Sequence, residues 1–178
     1  MIKMALKKKR YSKNDLNSIF LEGLGEHVVF HSDPAQRPML VDLAPRKLRL
    51  RVYIWNCTNP PGGRALDEYK FQIILPGQQP RERGQLDYSD GRTPIIGALV
   101  HDGEDEIFAF WDADKHEDFA YSSNMQVKAD TIISALCRPV AEGTRNNNEK
   151  IVCARPEYVY DAILRRFEIQ HEELMGEL

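Results

Sequence analysis

The residues most able to do chemistry lie in the stretch Asp67-Glu68-Tyr69-Lys70. Successive side chains of a β-strand point to opposite faces, so Glu68 and Lys70 share one face and Asp67 turns to the other. A carboxylate that binds a metal ion and a lysine that activates water need that arrangement, which makes a small metal-dependent endonuclease one reading. Such a site also needs a second carboxylate from an adjoining element, and Asp42 and Asp33 are the candidates upstream. A plainer reading pairs Glu68 across the sheet with Arg51 or Arg49. Glu-x-Lys also arises readily by chance where 29% of residues are charged.

Other catalytic chemistries find little support. His27, His31, His101, His116 and His171 are scattered, and only the first two are close enough to share a strand face, so no metal site is expected. No local signature joins a cysteine or serine nucleophile to a histidine. Gly62-Gly63 lacks the Lys-Ser/Thr that completes a phosphate-binding loop. The residues thus call for no cofactor.

Polar loops carry more information. Asn56, Thr58 and Arg64 lie in one; Arg81 and Arg83 in a second, GQQPRERGQ; Lys115, His116, Tyr121, Ser122, Ser123, Asn124, Gln126 and Lys128 in a third; and GTRNNNEK (143–150) is a fourth. Arginine, asparagine and glutamine can pair bidentately with purine edges, and serine and threonine suit phosphate oxygens. Soluble loops are polar in any case, so these groups matter only if the fold brings them together. Trp55 and Trp111 could stack on a base, but each ends an apolar strand and fits core packing at least as well.

The elements that must position these groups follow from periodicity. Ser12 caps a helix over 13–24 with Leu16, Ile19, Phe20 and Leu24 at helical spacing and Gly25 as its stop. Strands are expected at 27–32, 48–56, 68–75 and 150–155, with a hairpin of 93–102 and 106–114 turning at Asp102-Gly103. In LRLRVYIWN (48–56), Leu48, Leu50, Val52, Ile54 and Asn56 form one face, and Arg49, Arg51, Tyr53 and Trp55 form an amphipathic outer face. DPAQRPML and LAPRK are proline-punctuated connectors. Residues 124–138 pass from strand into a helix near Lys128, and Pro156 opens the longest helix. Short links between strands favour an α+β, mostly β, antiparallel open barrel with helices at its ends.

At 178 residues the chain has room for one core. Its 24 Lys+Arg nearly balance 27 Asp+Glu, so bulk basicity attracts no partner, although residues 3–13 are basic and the tail from Glu168 is acidic. Cys57, Cys137 and Cys153 are widely spaced, which argues against a disulfide framework or zinc ribbon and for reduced thiols in the cytoplasm. No apolar run is long enough for a membrane span.

In order, RVYIWNCT…GGRALDEYKFQI, IIGALV…EIFAFWDADKH, YSSNMQVKADTIISA and the helix after VCARPEYV resemble the N-terminal recognition domains of certain restriction endonucleases. These are the DNA-binding pseudobarrel of EcoRII and BfiI type and the SRA-like modules of modification-dependent AspBHI and MspJI type. The resemblance covers about residues 45–170 and leaves 1–25, a basic N-terminal helix, outside it. It implies a single non-catalytic domain (1–178) that binds double-stranded DNA, with or without a methylation requirement, and works with a nuclease or motor domain of the same system. It places Asn56, Thr58 and Arg64 on one DNA-contacting arm, Lys115 to Gln126 on or near the other, and Glu68-Tyr69-Lys70 with Gln72 on a scaffold strand. An RNA- or protein-binding barrel is a further alternative.

Overall fold

The structure, a computed structural model, describes residues 10–59, 67–102, 104–145 and 147–176. Arg64, the Gly62-Gly63 pair, Gly103 of the expected hairpin turn and the basic run before Arg10 lie outside the described residues.

Helix α1 spans Lys13–Leu24, the range its apolar spacing predicts. Ser12 Oγ accepts from the Asp15 amide at 3.1 Å, and Gly25 ends the helix at φ 55°. That conformation costs glycine nothing. Leu16, Phe20 and Leu24 form the buried stripe.

A seven-stranded sheet forms the centre. Its strands in chain order are β1 (Val28–His31), β2 (Met39–Leu43), β3 (Leu48–Cys57), β6 (Thr93–Asp102), β7 (Asp105–Trp111), β10 (Ala141–Thr144) and β11 (Lys150–Ala154). Their spatial order is β1-β2-β3-β6-β7-β11-β10. Between β3 and β6 the chain forms β4 (Glu68–Ile73) and β5 (Gly84–Gln85), and after β7 it forms β8 (Asp118–Phe119) and β9 (Ser123–Lys128). β4 pairs only with β9 as a named strand, and β5 only with β8. Helix α2 (Ala129–Cys137) continues directly from β9, and α3 (Val159–Gly176) follows a 3-10 turn at Pro156–Tyr158.

The α+β, mostly β class is as expected, but the architecture differs in two ways. First, β3 and β6 run parallel, from Leu50 opposite Thr93 to Cys57 opposite Val100, so the sheet is mixed and stays open, with β1 and β10 as its edges. A parallel neighbour requires a long crossover, which the chain from 58 to 92 supplies. Second, the helices cover the faces of the sheet and do not plug its ends. α1 and α3 close one apolar layer around Leu50, Val52, Phe108, Phe110 and Val152. The β4–β9 ribbon and α2 close the other, around Trp55, Phe71, Ala98, Trp111 and Met125.

This second cover overturns the amphipathic outer face expected for β3. Arg51, Tyr53 and Trp55 are only 6%, 7% and 8% exposed. A strand in a sheet covered on both faces loses its wet side, and of the four outer-face residues Arg49 alone stays exposed. Arg51 remains paired because its guanidinium reaches Asp87 Oδ1 at 3.1 Å and donates to the Asp87 and Ser89 carbonyls. Arg49 donates instead to the Asp90 carbonyl, so neither arginine pairs with Glu68. β2, inside a stretch read as connector, was hidden by Pro38 and Pro45, although MLVDL buries alternate residues.

Candidate nucleic-acid interface

The β4–β9 ribbon gathers polar groups that are far apart in sequence. Both strands alternate: Phe71, Ile73, Met125 and Val127 point into the core, and Glu68, Lys70, Gln72, Asn124, Gln126 and Lys128 point outward. The antiparallel register sets Glu68 opposite Lys128, Lys70 opposite Gln126, and Gln72 opposite Asn124. The outer face is therefore a ladder of three cross-strand polar pairs. Among the described residues no hydrogen bond or ion pair engages these six side chains.

The platform beneath the ladder is stiff. The Phe71 ring stacks on Trp55, with centroids 5.0 Å apart, and meets Trp111 edge-on at 5.1 Å. Trp111 Nε1 donates to the Gln126 carbonyl at 3.1 Å, tying the ribbon to the central sheet. On its other edge β4 exchanges two backbone hydrogen bonds with Thr58, of 3.0 and 2.9 Å, through the Lys70 amide and carbonyl.

At the Glu68 end the ribbon borders a cleft of about 450 Å³ between the β9–α2 junction and β10. Asp67, Glu68, Lys128 and Asp130 line it from the ribbon and α2, and Glu142 and Arg145 line it from β10 and its end. Gly143 lets β10 approach α2 closely, because a Cβ there would land inside the Thr131 side chain. Behind Arg145 lies a buried charge network. Glu149, fully buried, accepts from Arg145 Nη1 at 2.8 Å and from the Asp112 amide at 3.1 Å, and bonds His116 Nε2 at 2.8 Å. Burial alone would raise the Glu149 carboxyl; the His116 hydrogen bond and charge, with Arg145 and the Asp112 amide, outweigh it and hold it below the usual range. Asp112 in turn accepts from Gln170 at 2.9 Å and lies 3.7 Å from the buried Arg166.

The structure thus separates the sequence candidates. Asn124, Gln126 and Lys128 meet on the ribbon face, with Thr58 at its border. Asn56 lies apart, its amide clamping the Tyr11 backbone through bonds of 3.0 and 2.8 Å. Arg81 is exposed at φ 72°, and Arg83 pairs with Asp118 at 2.9 Å, both outside β4 and β9. Lys115 reaches Glu173 at 3.4 Å, and His116 belongs to the Glu149 network. Tyr121 and Ser122 form the turn into β9, where Ser123 Oγ donates to the Ala120 carbonyl. Trp111 is 1% exposed and Trp55 8%, so both are packed as core.

For the metal reading, Glu68 and Lys70 do share a face. Asp42, however, is paired with Arg92 at 2.7 Å on β2, and Asp33 Oδ1 accepts from the Ala35 amide. Sequence reasoning treated Lys70 and Gln72 as scaffold. Their alternation was visible, but the partner strand that makes them half of a ladder was not. It also missed Glu149, whose burial no local pattern announces.

An α+β fold with an open mixed sheet and a polar two-stranded ribbon defines the class. The chain belongs to the methylase-associated X1 family, whose model matches residues 48–163 and so spans the sheet from β3, the ribbon and the start of α3. Among curated proteins and solved structures, none matches the chain.

Proposed function

We propose that the chain is a non-catalytic recognition module of a restriction-modification system that binds duplex DNA through the outer face of the β4–β9 ribbon. The observation that carries this is the ladder of three amides, two ammonium groups and one carboxylate on a two-stranded ribbon. The major groove admits such a ribbon, and its base edges are read by these side chains. The family's association with methylases supports the setting, in which a methylase or nuclease subunit acts on the DNA that this module selects. A closer kinship to the EcoRII/BfiI or AspBHI/MspJI type of recognition domain belongs to the same proposal.

Net charge is −3, so a general electrostatic attraction for phosphate is weak and binding must come from local contacts. Titrating a labelled random-sequence duplex by fluorescence anisotropy tests the reading. Binding that weakens in Lys70→Ala/Gln126→Ala and survives in Arg83→Ala supports the ribbon; equal binding in all variants, or preference for single strands, removes it.

A further inference from the structure

Strand spacing and base-pair spacing coincide, which gives the ladder a reading frame. A strand rises about 3.4 Å per residue, so outward side chains two positions apart are about 6.8 Å apart, close to two base-pair steps. Glu68 and Gln72, at the two ends of the face, are then separated by about four steps.

The two end pairs also differ in chemistry. At one end Lys128 stands opposite Glu68. An ammonium donates to guanine O6 and N7, and a carboxylate accepts from the cytosine N4 amino group, so together they match both halves of one G·C pair. At the other end Gln72 stands opposite Asn124, both exposed. An amide can accept from the adenine N6 amino group while donating to N7, and its neighbour can donate to thymine O4.

Resting on the duplex-binding reading above, we propose that the ribbon reads a G·C pair with Glu68 and Lys128 and an A·T pair with Gln72 and Asn124, about four base-pair steps apart, and that it requires the adenine to be unmethylated at N6. The methyl group of a paired N6-methyladenine must turn towards N7 to leave the Watson–Crick hydrogen intact. There it removes the hydrogen that the amide oxygen accepts and fills the space between the two groups. The ribbon would thereby distinguish unmodified DNA from the product of an adenine methylase.

Selection from a duplex library with ten randomised base pairs tests the inference, using the intact chain, Gln72→Ala/Asn124→Ala and Gln72→Lys. The wild type should enrich sites with G·C and A·T four steps apart. The double alanine variant should lose preference at the A·T position alone, and Gln72→Lys should turn that position towards G·C. Placing N6-methyladenine in the selected duplex should weaken wild-type binding roughly tenfold or more, the scale of one good bidentate contact. Enriched sites whose A·T preference survives the double substitution, or equal binding of the methylated duplex, would overturn the inference and leave duplex binding standing. Absence of binding to any duplex would overturn both. The substituted side chains are exposed, and an unchanged thermal midpoint assigns any loss to contact with DNA.

Discussion

His116 Nε2 lies 2.8 Å from Glu149 Oε1, and the same carboxylate holds Arg145, whose second nitrogen reaches the Asn124 carbonyl at 3.4 Å. A buried ion cluster is thereby built against the back of the ribbon. Glu149→Ala leaves the Arg145 guanidinium without its carboxylate and takes the partner from His116 and the Asp112 amide, so it should cost about 3–5 kcal/mol in urea unfolding. The pH dependence follows from the lowered Glu149 carboxyl, whose depression opposes the effect of burial and comes from His116 first and Arg145 next. A carboxyl held below its unfolded value of about 4.3 contributes fully above that pH, and the contribution is lost as pH falls through the folded value. The stability gap between wild type and Glu149→Gln should therefore narrow as pH falls from about 4.3 towards 3. A gap that stays constant to pH 3 would contradict this.

Gly143 and Thr131 set how closely β10 lies to α2. A Cβ at 143 would fall inside the Thr131 side chain, with Cγ2 and Cβ at 3.0 and 3.1 Å and Oγ1 nearer still. Thr131 is buried, so it has little room to turn away. Gly143→Ala should destabilise by about 1–3 kcal/mol, the usual penalty of overpacking. Adding Thr131→Ala removes the two nearest atoms and should recover more than half of the loss. Chemical denaturation of both single variants and the double variant checks it, and additive losses would show that the close approach is not the cause.

How far the sequence carries the structure depends on the range of the interaction concerned. α1 was legible to the residue because a serine cap, a buried stripe and a glycine stop are all local. β6, β7, β9 and β11 were legible from alternation or apolar runs. Of the strand partners, the β6–β7 hairpin was legible and pairs as expected, but the distant partners were not. Lys70 and Gln126 are 56 positions apart, and nothing in either strand names the other, so the ladder was split between a scaffold strand and a DNA-contacting arm. Asn56 shows the same limit: an asparagine at a strand end can pair with a purine edge, and only the fold shows its amide holding the Tyr11 backbone. The aromatic-basic side of β3 looked wet because burial depends on the ribbon that covers it.

Trp111 offers a direct test of core packing against base stacking. It is 1% exposed, and its indole nitrogen is committed to the Gln126 carbonyl. In a Trp55→Phe background, Trp111 emission should be blue-shifted, resist quenching by acrylamide and stay unchanged on adding duplex. Trp111→Phe should lose about 1–3 kcal/mol, leaving the part-buried Gln126 carbonyl without its donor. Strong quenching by duplex in the Trp55→Phe protein would instead place Trp111 against a base.

The salt dependence of binding should be shallow, which separates ribbon recognition from attraction to a basic patch. Each phosphate neutralised contributes about −0.9 to the slope of log K against log salt on B-DNA. The ladder carries two cations, Lys70 and Lys128, beside a carboxylate, Glu68. A slope near −2 is then an upper magnitude for the ladder itself, and smaller if either lysine reaches a base and not a phosphate. Lys70→Ala should reduce the slope by about one if Lys70 touches phosphate, weakening all duplexes alike. Lys128→Ala, by contrast, should leave the slope nearly unchanged and weaken chiefly the duplexes that carry the G·C pair. Anisotropy titrations of the two variants from low to physiological salt, on selected and scrambled duplexes, measure both quantities. A slope several times steeper would move the interface off the ribbon, to the basic residues ahead of α1.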